Sequence, residues 1–392
     1  MARWCADMGA EVTVADTRNA PPNLAILESE LPDLKFVGGG FSASLIEGTS
    51  VRAVFASPGL SPAETAPVLD AAKSLGLWVG GELSLFAQGL EKLKLTRDYS
   101  PRVLAITGTN GKTTTVTLLH QLFVRMGYST GLLSTVENKI NEEVIPSTHT
   151  TPDAVSVQAL LRKMVDAGCT HCFMEASSHA IVQERIAGLK LSGAVFNNIT
   201  HDHLDYDGTF EEYIKAKKKL FDELPKDAFA LVNGDDKHGG VMVQNCRGTL
   251  QTFGLKSAAD FKAKILSNTI EGLELEVNGK LIWFRMIGSF NAYNLLGVLG
   301  TAVLLGEDED EVLRELSAIK GAKGRFDRIS IGGITAIVDY AHTPDALIQA
   351  LKALRPMANA REGQLYCVFG CGGDRDTSKR MPMAKAAEDG AD

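Results

Sequence analysis

The sequence predicts an α/β protein built from three successive domains. Short β-like runs alternate with helical patterns along the whole chain, which is typical of sheets covered by helices. An apolar run at 104–107 leads into a glycine loop where a helix can begin. The 392 residues exceed the size at which one hydrophobic core keeps growing. We therefore place the domains at residues 1–97, 98–323 and 324–392.

The first of these domains is predicted to be a small α/β unit. Its β-like runs at 11–16 and 53–56 alternate with helical patterns such as 63–75. The chain opens directly in a helix-like segment, without the strand and glycine turn that normally start such a unit. We therefore expect this domain to be clipped at its beginning.

The glycine loop at 104–115 is a candidate phosphate cradle. Gly108 and Gly111 let backbone N–H groups approach phosphate oxygens, and Lys112 supplies a cation. The Thr113 hydroxyl can hold Mg²⁺ beside a helix N-terminus. The first glycine of the usual Walker spacing is absent, so the loop is a variant. We expect ATP or GTP here, with an ordinary strand-to-helix turn as the alternative.

The central domain continues the alternation of strands and helices. Strands are expected near 172–175, 194–196 and 228–232, and helices near 154–167 and 210–223. This pattern favours a parallel sheet covered by helices. Polar residues follow several of the strands, at the edge where open α/β sheets place their ligands.

Two segments predict hairpins. Residues 273–283 alternate apolar and polar residues around Asn278-Gly279, a strong short-range hairpin signal. The third domain begins with another hairpin-like pair, followed by a helix at 344–354 and a strand at 365–369. The chain then stops inside a helix-like run, so we expect this domain to be clipped at its end.

The composition of the chain narrows the range of possible functions. The net charge is −8 with lysine and arginine dispersed, which argues against a nucleic-acid partner. Six cysteines in this length do not predict a disulfide scaffold, and we interpret Cys169 and Cys172 as core or loop residues. No signal-like or long apolar segment suggests membrane insertion. We expect a cytoplasmic enzyme acting on a small molecule, and the oligomeric state stays open.

Two clusters suit a divalent ion. Glu175 ends a strand and can bind Mg²⁺ through a carboxylate oxygen; the alternative is an inert, solvated strand end. The stretch 197–205 carries His201 and His203 on either side of Asp202, which also suits a metal. The alternative for that stretch is a solvated loop.

Three other segments carry candidate ligands. Four lysines on the helix at 213–221 predict mainly a solvated basic face. Arg375 lies in a glycine loop, and its planar fork matches the carboxylate of an amino-acid substrate; an ordinary surface turn is the alternative. Asn291 and Asn294 start a helix and can either bind adenine or cap the helix. From this chemistry alone, a kinase and a ligase are equally open.

These residues together resemble the Mur ligases of bacterial peptidoglycan synthesis. Over about residues 100–392, the chain is similar to the branch that adds a diamino acid to UDP-N-acetylmuramoyl-L-alanyl-D-glutamate. The motifs are TGTNGKTT at 107–114, TTPD at 150–153, EASSH at 175–179, DHLD at 202–205, GR at 324–325, DYAHTPD at 339–345 and the loop 370–380. The resemblance implies a Rossmann-like N-terminal domain, a central P-loop ATPase-type domain with a parallel sheet, and a C-terminal Rossmann-like domain.

The resemblance also implies a role for each matching position. Thr113 and Glu175 would hold one Mg²⁺, and His203 with a carbamylated Lys217 would hold or orient a second. Lys112, Lys217, His203 and Glu175 would be the catalytic set. ATP would contact Gly108, Thr109, Asn110, Gly111, Lys112, Thr113, Thr114, Asn291, Asn294, Arg325 and Asp339. The UDP-muramoyl-dipeptide would contact His149, Thr150, Thr151, Ser177, Gln183 and Arg185, and the incoming diamino acid would contact Arg375.

The first 97 residues resemble a different branch, the D-glutamate-adding Mur ligase. The likeness rests on ADTR at 15–18, ASPG at 56–59 and GGELSLF at 80–86. By that likeness Asp16, Arg18 and Ser57 would contact the uridine nucleotide. The chain therefore resembles a hybrid, with the UDP-binding domain of one ligase on the catalytic body of another.

The implied reaction is ATP-dependent amide-bond formation. The D-glutamate γ-carboxylate takes the γ-phosphoryl group of ATP, and the amine of meso-diaminopimelate or L-lysine then attacks the acyl phosphate. The motif that separates these two amines would lie beyond residue 392, so the choice stays open. The alternatives are the D-glutamate-adding reaction, a folylpolyglutamate synthetase and a non-catalytic nucleotide-binding fragment.

Overall fold

The computed structural model describes all residues except 58–59, 82–83, 86–87, 90–91, 93–94, 96–98, 147–149, 201–208 and 372–378. The chain forms two compact units. The first comprises Met1–Ser100, Asp153–Leu160 and Glu184–Leu189, and the second comprises Pro101–Pro152, Leu161–Gln183 and Lys190–Asp392. The three-domain division with bounds at 97 and 323 stays a prediction.

The first unit is built on pairs of parallel strands. Strand β1 (Thr13–Asp16) pairs with β2 (Lys35–Gly38), and β3 (Ala53–Ala56) pairs with β4 (Trp78–Gly81). Its helices include α1 (Ala2–Asp7), α2 (Leu24–Glu30) and α3 (Pro62–Ser74), with a 3₁₀ turn at Ala43–Leu45. Helix α3 begins with a capping box, in which Ser61 and Glu64 each accept a backbone N–H of the other. The α/β pattern predicted here is confirmed.

The second unit is built on one sheet of eleven strands within the described part of the chain. In chain order they are β5 (Arg102–Thr107), β6 (Thr130–Leu133), β7 (Glu137–Ile140), β8 (Glu143–Pro146), β9 (His171–Glu175), β10 (Gly193–Phe196), β11 (Phe229–Asn233), β12 (Thr249–Gly254), β13 (Phe261–Thr269), β14 (Gly272–Val277) and β15 (Lys280–Phe284). Across the sheet the order is β15-β14-β13-β12-β11-β10-β5-β9-β6-β7-β8. The strands from β13 to β6 run parallel, which confirms the predicted parallel sheet.

Helices cover this sheet and complete its core. They are α4 (Lys112–Arg125), the part of α5 (Ala154–Asp166) from Leu161 onward, α6 (Ser178–Val182), α7 (Phe210–Asp222), α8 (Gly239–Met242), α9 (Ser289–Leu304) and α10 (Glu309–Ala318). The earlier part of α5 belongs to the first unit. Strands β9 and β11 are buried at every residue, as expected for parallel strands covered on both faces. Within the described residues, one extensive apolar cluster joins the central strands to α4, α9 and α10. Among the described helices, none is long and apolar enough to cross a membrane.

Strands β14 and β15 form the hairpin predicted at 273–283. Asn278 and Gly279 have φ values of +50° and +78°, and a two-residue type I′ turn needs positive φ at both positions. Leu273, Leu275 and Val277 alternate along β14 and are buried. The hairpin prediction is therefore confirmed, because turn chemistry and period-two burial agree.

Residues 324–392 begin with an antiparallel hairpin of β16 (Asp327–Ile331) and β17 (Ile334–Val338), followed by α11 (Pro344–Ala360) and α12 (Arg380–Gly390). The strand predicted at 365–369 is wrong. In the described chain this segment pairs with no strand, and Val368 is 99% exposed. Its apolar residues favour an extended strand, but a strand also needs a neighbour whose backbone completes the hydrogen-bond ladder.

Candidate functional site

The carboxyl ends of four adjacent parallel strands, β11, β10, β5 and β9, form one edge of the sheet. The register pairs Ile106 with Glu175 and Thr107 with Phe196. The loops that leave these strands are therefore neighbours, as in the ligand sites of open α/β sheets. The phosphate-loop candidate, Glu175 and the segment that follows β10 all lie at this edge.

The phosphate-loop candidate depends on its two glycines. Gly108 and Gly111 have φ values of +151° and +83°, which side-chain-bearing residues rarely adopt. A Cβ on Gly111 would lie 2.4 Å from Asn294 Oδ1, and one on Gly108 would lie 3.0 Å from the Asn198 carbonyl oxygen. Backbone conformation and close packing thus both require glycine at these positions.

Two cationic side chains contact the loop and the start of α4. Lys112 Nζ donates hydrogen bonds to the carbonyl oxygens of Gly108 and Thr109, both at 2.8 Å. Arg325 Nη2 donates to Thr113 Oγ1 at 3.1 Å, and its guanidinium lies 4.7 Å from the centre of the Tyr340 ring. Together with the N-terminus of α4, these cations form an environment that fits an anion such as a phosphate.

Glu175 ends β9 with a buried and firmly held carboxylate. Its side chain is 1% exposed. The Thr135 backbone N–H donates to Glu175 Oε1 at 2.7 Å, and the Thr135 hydroxyl lies 3.0 and 3.1 Å from the two carboxylate oxygens. Thr151 Oγ1 donates to the Glu175 carbonyl oxygen at 2.8 Å. This carboxylate is therefore no solvated strand end, and its oxygens suit a hard cation.

Lys217 differs from the other lysines of α7. Lys215 pairs with Glu211 on the exposed side of the helix, as the solvated-face interpretation predicts. Lys217 is 1% exposed; its Nζ donates to the Gly108 carbonyl oxygen at 3.1 Å and lies 4.5 Å from the centre of the Tyr213 ring. Helix α7 thus places one of its lysines against the phosphate-loop candidate.

Asn291 and Asn294 lie at the start of α9 and are buried. Asn291 Nδ2 donates to the Ile287 carbonyl oxygen at 2.8 Å, and Asn294 Nδ2 donates to Asn291 Oδ1 at 2.9 Å. Asn294 then packs against Gly111, as the close Cβ contact above indicates. The structure therefore brings both asparagines to the loop, while their contact with adenine stays a prediction.

Asp339 follows β17 and supports the segment that carries Arg325. Its Oδ1 accepts a hydrogen bond from the Phe326 N–H at 2.9 Å. Phe326 has a φ of +54°, which is uncommon for a residue with a bulky side chain. Asp339 thus holds the backbone next to Arg325, and its contact with ATP stays a prediction.

Of the residues predicted to contact the muramoyl dipeptide, those that the structure describes lie in different parts of the chain. Thr150 and Thr151 lie beside Glu175: Thr135 Oγ1 donates to Thr150 Oγ1 at 3.2 Å, in addition to the Thr151 contact. Ser177 caps α6 by accepting the Ala180 N–H at 3.2 Å, and Gln183 follows the same helix. Arg185 belongs to the first compact unit instead.

The first unit holds the candidate uridine residues. Asp16 accepts hydrogen bonds from the backbone N–H, Nε and Nη2 of Arg18 at 2.9, 2.9 and 2.8 Å. These contacts lower the pKa of Asp16 to about 2. Ser57 follows β3, and its carbonyl oxygen accepts the Leu60 N–H at 3.2 Å. The ion pair is open to solvent, so its charges are screened.

Three predicted site residues, His149, His203 and Arg375, lie outside the described residues. The same holds for His201 and Asp202, so the proposed metal pair of the 197–205 stretch stays a prediction. No group of three His, Cys, Asp or Glu side chains within the part of the chain that the structure describes could hold a metal ion. Cys169 and Cys172 are buried and free, as expected for core residues.

Three residues that contact the site had no role in the sequence predictions, although Asn198 lies in the 197–205 stretch and Tyr213 in the 213–221 helix singled out there. Thr135 binds the Glu175 carboxylate, Tyr213 Oη lies 3.2 Å from Thr109 Oγ1, and Asn198 binds the loop backbone. Thr135 and Asn198 both follow strands at the carboxyl edge. The position of a polar residue just after a buried strand was therefore the available signal.

Two protein-family models match the chain. The Mur ligase middle domain matches residues 106–302, and the glutamate ligase domain of Mur ligases matches residues 324–392. The UDP-N-acetylmuramoyl-L-alanyl-D-glutamate–2,6-diaminopimelate ligase of Cytophaga hutchinsonii is 56% identical over 321 residues, which cover 82% of this chain and 63% of that protein. The protein of the same name from Parabacteroides distasonis is 49% identical over 321 residues, covering 82% and 64%. The chain thus spans less than two thirds of the length of these relatives.

Solved structures show the same fold. A structure of a UDP-N-acetylmuramoyl-L-alanyl-D-glutamate–2,6-diaminopimelate ligase is 32% identical, with a TM-score of 0.63, and the match covers 87% of this chain and 74% of that one. The UDP-N-acetylmuramate–alanine ligase of Thermotoga maritima matches over 98% of this chain and 79% of its own, with a TM-score of 0.53. At 18% identity, this second likeness supports the fold alone.

Proposed function

The chain belongs to the Mur ligase family, and from this premise we propose that it is an ATP-dependent amide ligase. Its substrates in this proposal are UDP-N-acetylmuramoyl-L-alanyl-D-glutamate and a diamino acid. The names of the two bacterial relatives favour 2,6-diaminopimelate over L-lysine as that diamino acid. The observation that carries the proposal is that Lys112 and the buried Lys217 both donate to the Gly108 carbonyl oxygen, while Glu175 ends the strand paired with β5.

The loop residues have separate roles toward ATP in this proposal. Backbone N–H groups of 108–114 bind the phosphates, and Lys112 exchanges its two loop carbonyls for phosphate oxygens. Arg325 leaves the Thr113 hydroxyl for the γ-phosphate, because a charged oxygen is a stronger acceptor than a hydroxyl. Asn291 and Asn294 border the adenine side, and Asp339 keeps the Arg325 segment in place.

The donor set fits Mg²⁺, and we propose two sites. Thr113 would hold one ion with Glu175, while Lys217, as a carbamate, would hold or orient a second ion with His203. Carbamylation joins the Lys217 nitrogen to the carbon of CO₂: the ammonium first loses one proton to become an amine, and the amine loses a second as the N–C bond forms. A cationic group would thereby become a carbamate with a pair of hard oxygens. Bound Mg²⁺ supplies charge neutralisation at the transferring phosphoryl group.

The chemistry then takes two steps. An oxygen of the D-glutamate γ-carboxylate attacks the γ-phosphorus, and the bond to the ADP oxygen breaks. The amine nitrogen of the diamino acid attacks the acyl carbon, loses one proton, and inorganic phosphate leaves with the original carboxylate oxygen. Lys112 and Arg325 offset the charge on the phosphoryl oxygens in the first step.

The remaining predicted contacts orient the substrates. Thr150, Thr151, Ser177, Gln183, Arg185 and His149 would bind the muramoyl dipeptide, Asp16, Arg18 and Ser57 the uridine nucleotide, and Arg375 the carboxylate of the diamino acid. All of these substrates are charged molecules, and ATP is an intracellular one. We therefore propose a cytoplasmic reaction without a nucleic-acid or membrane partner.

The test is a direct reconstitution of the reaction. Purified protein is incubated with ATP, Mg²⁺ and UDP-N-acetylmuramoyl-L-alanyl-D-glutamate, with meso-diaminopimelate or L-lysine in separate reactions. We expect phosphate release and a tripeptide product mass with diaminopimelate.

The same assay separates the alternatives. The N-terminal likeness to the D-glutamate-adding branch requires an arm with UDP-N-acetylmuramoyl-L-alanine and D-glutamate. A product only in that arm would transfer the assignment to that reaction. Phosphate release in none of the arms would contradict the ligase proposal.

A further inference from the structure

Several hydrogen bonds join the segment that follows β10 to the phosphate loop. The Thr109 N–H donates to the Asn198 carbonyl oxygen at 2.8 Å, and the Thr200 N–H donates to Thr109 Oγ1 at 3.0 Å. Asn197 Nδ2 donates to Thr115 Oγ1 at 2.9 Å, inside α4. These contacts join two exit loops that are separated by 82 to 91 positions in the chain.

Asn198 makes the most complete of these contacts. Its Oδ1 accepts the Asn110 N–H at 2.9 Å, and its Nδ2 donates to the Asn110 carbonyl oxygen at 3.0 Å. One side-chain amide therefore satisfies both backbone groups of one loop residue, as a neighbouring strand would. This pairing fixes the orientation of the two peptide planes that flank Asn110.

The orientation of these planes matters because the loop is short. Only Thr109 and Asn110 separate the two glycines, and Gly111 immediately precedes α4. Glycine on each side gives the backbone many alternative conformations, so the loop has little stiffness of its own. The contacts of Asn198, which lies outside the loop, are therefore needed to keep the backbone N–H groups at the helix N-terminus directed at one point.

The segment that carries Asn198 also forms hydrogen bonds on the side away from the phosphate loop. The Ile199 N–H donates to Asp236 Oδ2 at 2.9 Å, and Asp236 lies in the loop that follows β11. Asn233 Nδ2 donates to the Asn197 carbonyl oxygen at 2.8 Å. The backbone on both sides of Asn198 is therefore held by the last residue of β11 and by the loop that follows it, in addition to its contacts with the phosphate loop.

We propose that Asn198 is a positioning residue, which sets the conformation of the phosphate loop for nucleotide binding. The inference rests on the proposed function, because it assigns the loop to a nucleotide. Asn198 acts through Asn110 and does not itself need to contact the phosphates. The chemistry of this role is a side-chain amide paired with the N–H and the carbonyl oxygen of one residue, which belong to the two peptide units on either side of it.

The test compares three variants with the wild-type chain. Asn198→Ala removes the amide, and Asn198→Leu removes it while keeping nearly the same volume. Asn141→Gly is the matched control: Asn141 Oδ1 accepts the Thr130 N–H at 2.8 Å at the amino end of β6, and glycine tolerates its φ of +55°. Calorimetry measures the Kd of ATP, and amide hydrogen exchange without nucleotide measures protection of the peptide containing 108–111.

We expect both Asn198 variants to raise the Kd of ATP about tenfold, which corresponds to about 1.4 kcal/mol. We also expect faster exchange at 108–111 in both variants, and wild-type values for both readouts in Asn141→Gly. Wild-type affinity and protection in Asn198→Ala would overturn the inference. Wild-type affinity and protection in Asn198→Leu alone would also overturn it, because a side chain of similar volume without an amide would then be enough to position the loop.

The exchange measurement keeps this inference separate from the proposed function. A wild-type chain that binds no ATP would contradict the proposed function. Loss of protection in the two Asn198 variants would then still support the positioning role, and unchanged protection would overturn it. If Asn198→Ala does not fold, Asn198→Leu carries the same comparison.

Discussion

The edge of the central sheet and the Asp16–Arg18 pair differ in how their charged groups are held. At the edge, Glu175 and Lys217 are each 1% exposed and contact neighbouring loops. In the first unit, the Arg18 side chain is 62% exposed and its contacts are with Asp16 two residues away. The first cluster is arranged by the fold before a ligand arrives, whereas the second is a local, solvated ion pair.

This difference predicts where substitutions act. In a site arranged in advance by buried contacts, removing one group lowers the rate of the chemical step. At a solvated ion pair, removing one group weakens binding of the ground state and leaves the chemistry unchanged. Substitutions at the sheet edge should therefore lower turnover far more than a substitution in the Asp16–Arg18 pair.

Lys112→Ala should give the largest loss. We expect turnover to fall by about 1000-fold or more, since a cation at the transferring phosphoryl group is removed. Thermal unfolding should change little, because Lys112 is only half-buried and its hydrogen bonds go to two loop carbonyl oxygens. Phosphate release and a thermal melt measure the two quantities. Lys215→Ala, an exposed lysine paired with Glu211, is the control, and retained turnover in Lys112→Ala would contradict the role.

Lys217→Ala should lose about 100-fold in turnover and recover part of it when formate or acetate is added. A small carboxylate can replace the carbamate oxygens that alanine lacks. The measurement is phosphate release as a function of carboxylate concentration, with Lys218→Ala on the same helix as the control. Wild-type turnover without any added carboxylate would contradict the metal-orienting role.

Acid should destabilise the second unit through its buried histidines. Burial, helped by the Arg102 charge, lowers the pKa of His171 to about 4, and burial likewise lowers that of His120 to about 4. Between pH 6.5, the ordinary pKa of histidine, and about pH 4, each of these histidines is protonated in the unfolded chain and neutral in the folded chain. The free energy of unfolding therefore falls as the pH falls. His171 alone should contribute a loss of about 2 kcal/mol between pH 7 and pH 5.

The test of that prediction is urea unfolding at pH 7, 6 and 5. His171→Phe keeps an aromatic ring among Phe123, Tyr128 and Phe173 but cannot titrate. We expect the variant to lose about 2 kcal/mol less than the wild type over this range. An identical pH dependence in the two proteins would show that His171 does not titrate in this way.

Arg18→Ala should have the smallest effect. We expect KM for the uridine substrate to rise about three- to tenfold with kcat unchanged, because the lost contact is equal in the ground and transition states. Steady-state kinetics with varied UDP substrate measure both constants. Arg3→Ala is the control, since Arg3 forms a similarly exposed ion pair with Glu30. A fall in kcat in Arg18→Ala would break the division between the two clusters.

The sequence predicted the parts of the fold that carry local signals. The phosphate loop, the Asn278-Gly279 hairpin and the strands of the parallel sheet are each encoded within a few neighbouring residues. The strand expected at 365–369 is wrong for the opposite reason, because a strand depends on a distant partner. Local propensity cannot supply that partner.

The site divides in the same way. Gly108, Gly111 and Lys112 could be selected from their spacing alone. Lys217 could not, since four lysines on one amphipathic helix look alike until the fold buries one of them against the phosphate loop. The Thr135 contact with Glu175 joins residues 40 positions apart, so it follows from the sheet order and not from any local pattern.

The most direct test of the account follows an oxygen atom through the reaction. UDP-N-acetylmuramoyl-L-alanyl-D-glutamate labelled with ¹⁸O in the γ-carboxylate is incubated with the protein, ATP, Mg²⁺ and meso-diaminopimelate, and the released phosphate is analysed by mass spectrometry. The account predicts one ¹⁸O in each phosphate, because the carboxylate oxygen bridges the acyl phosphate and leaves with phosphorus. Amide product accompanied by unlabelled phosphate would contradict it.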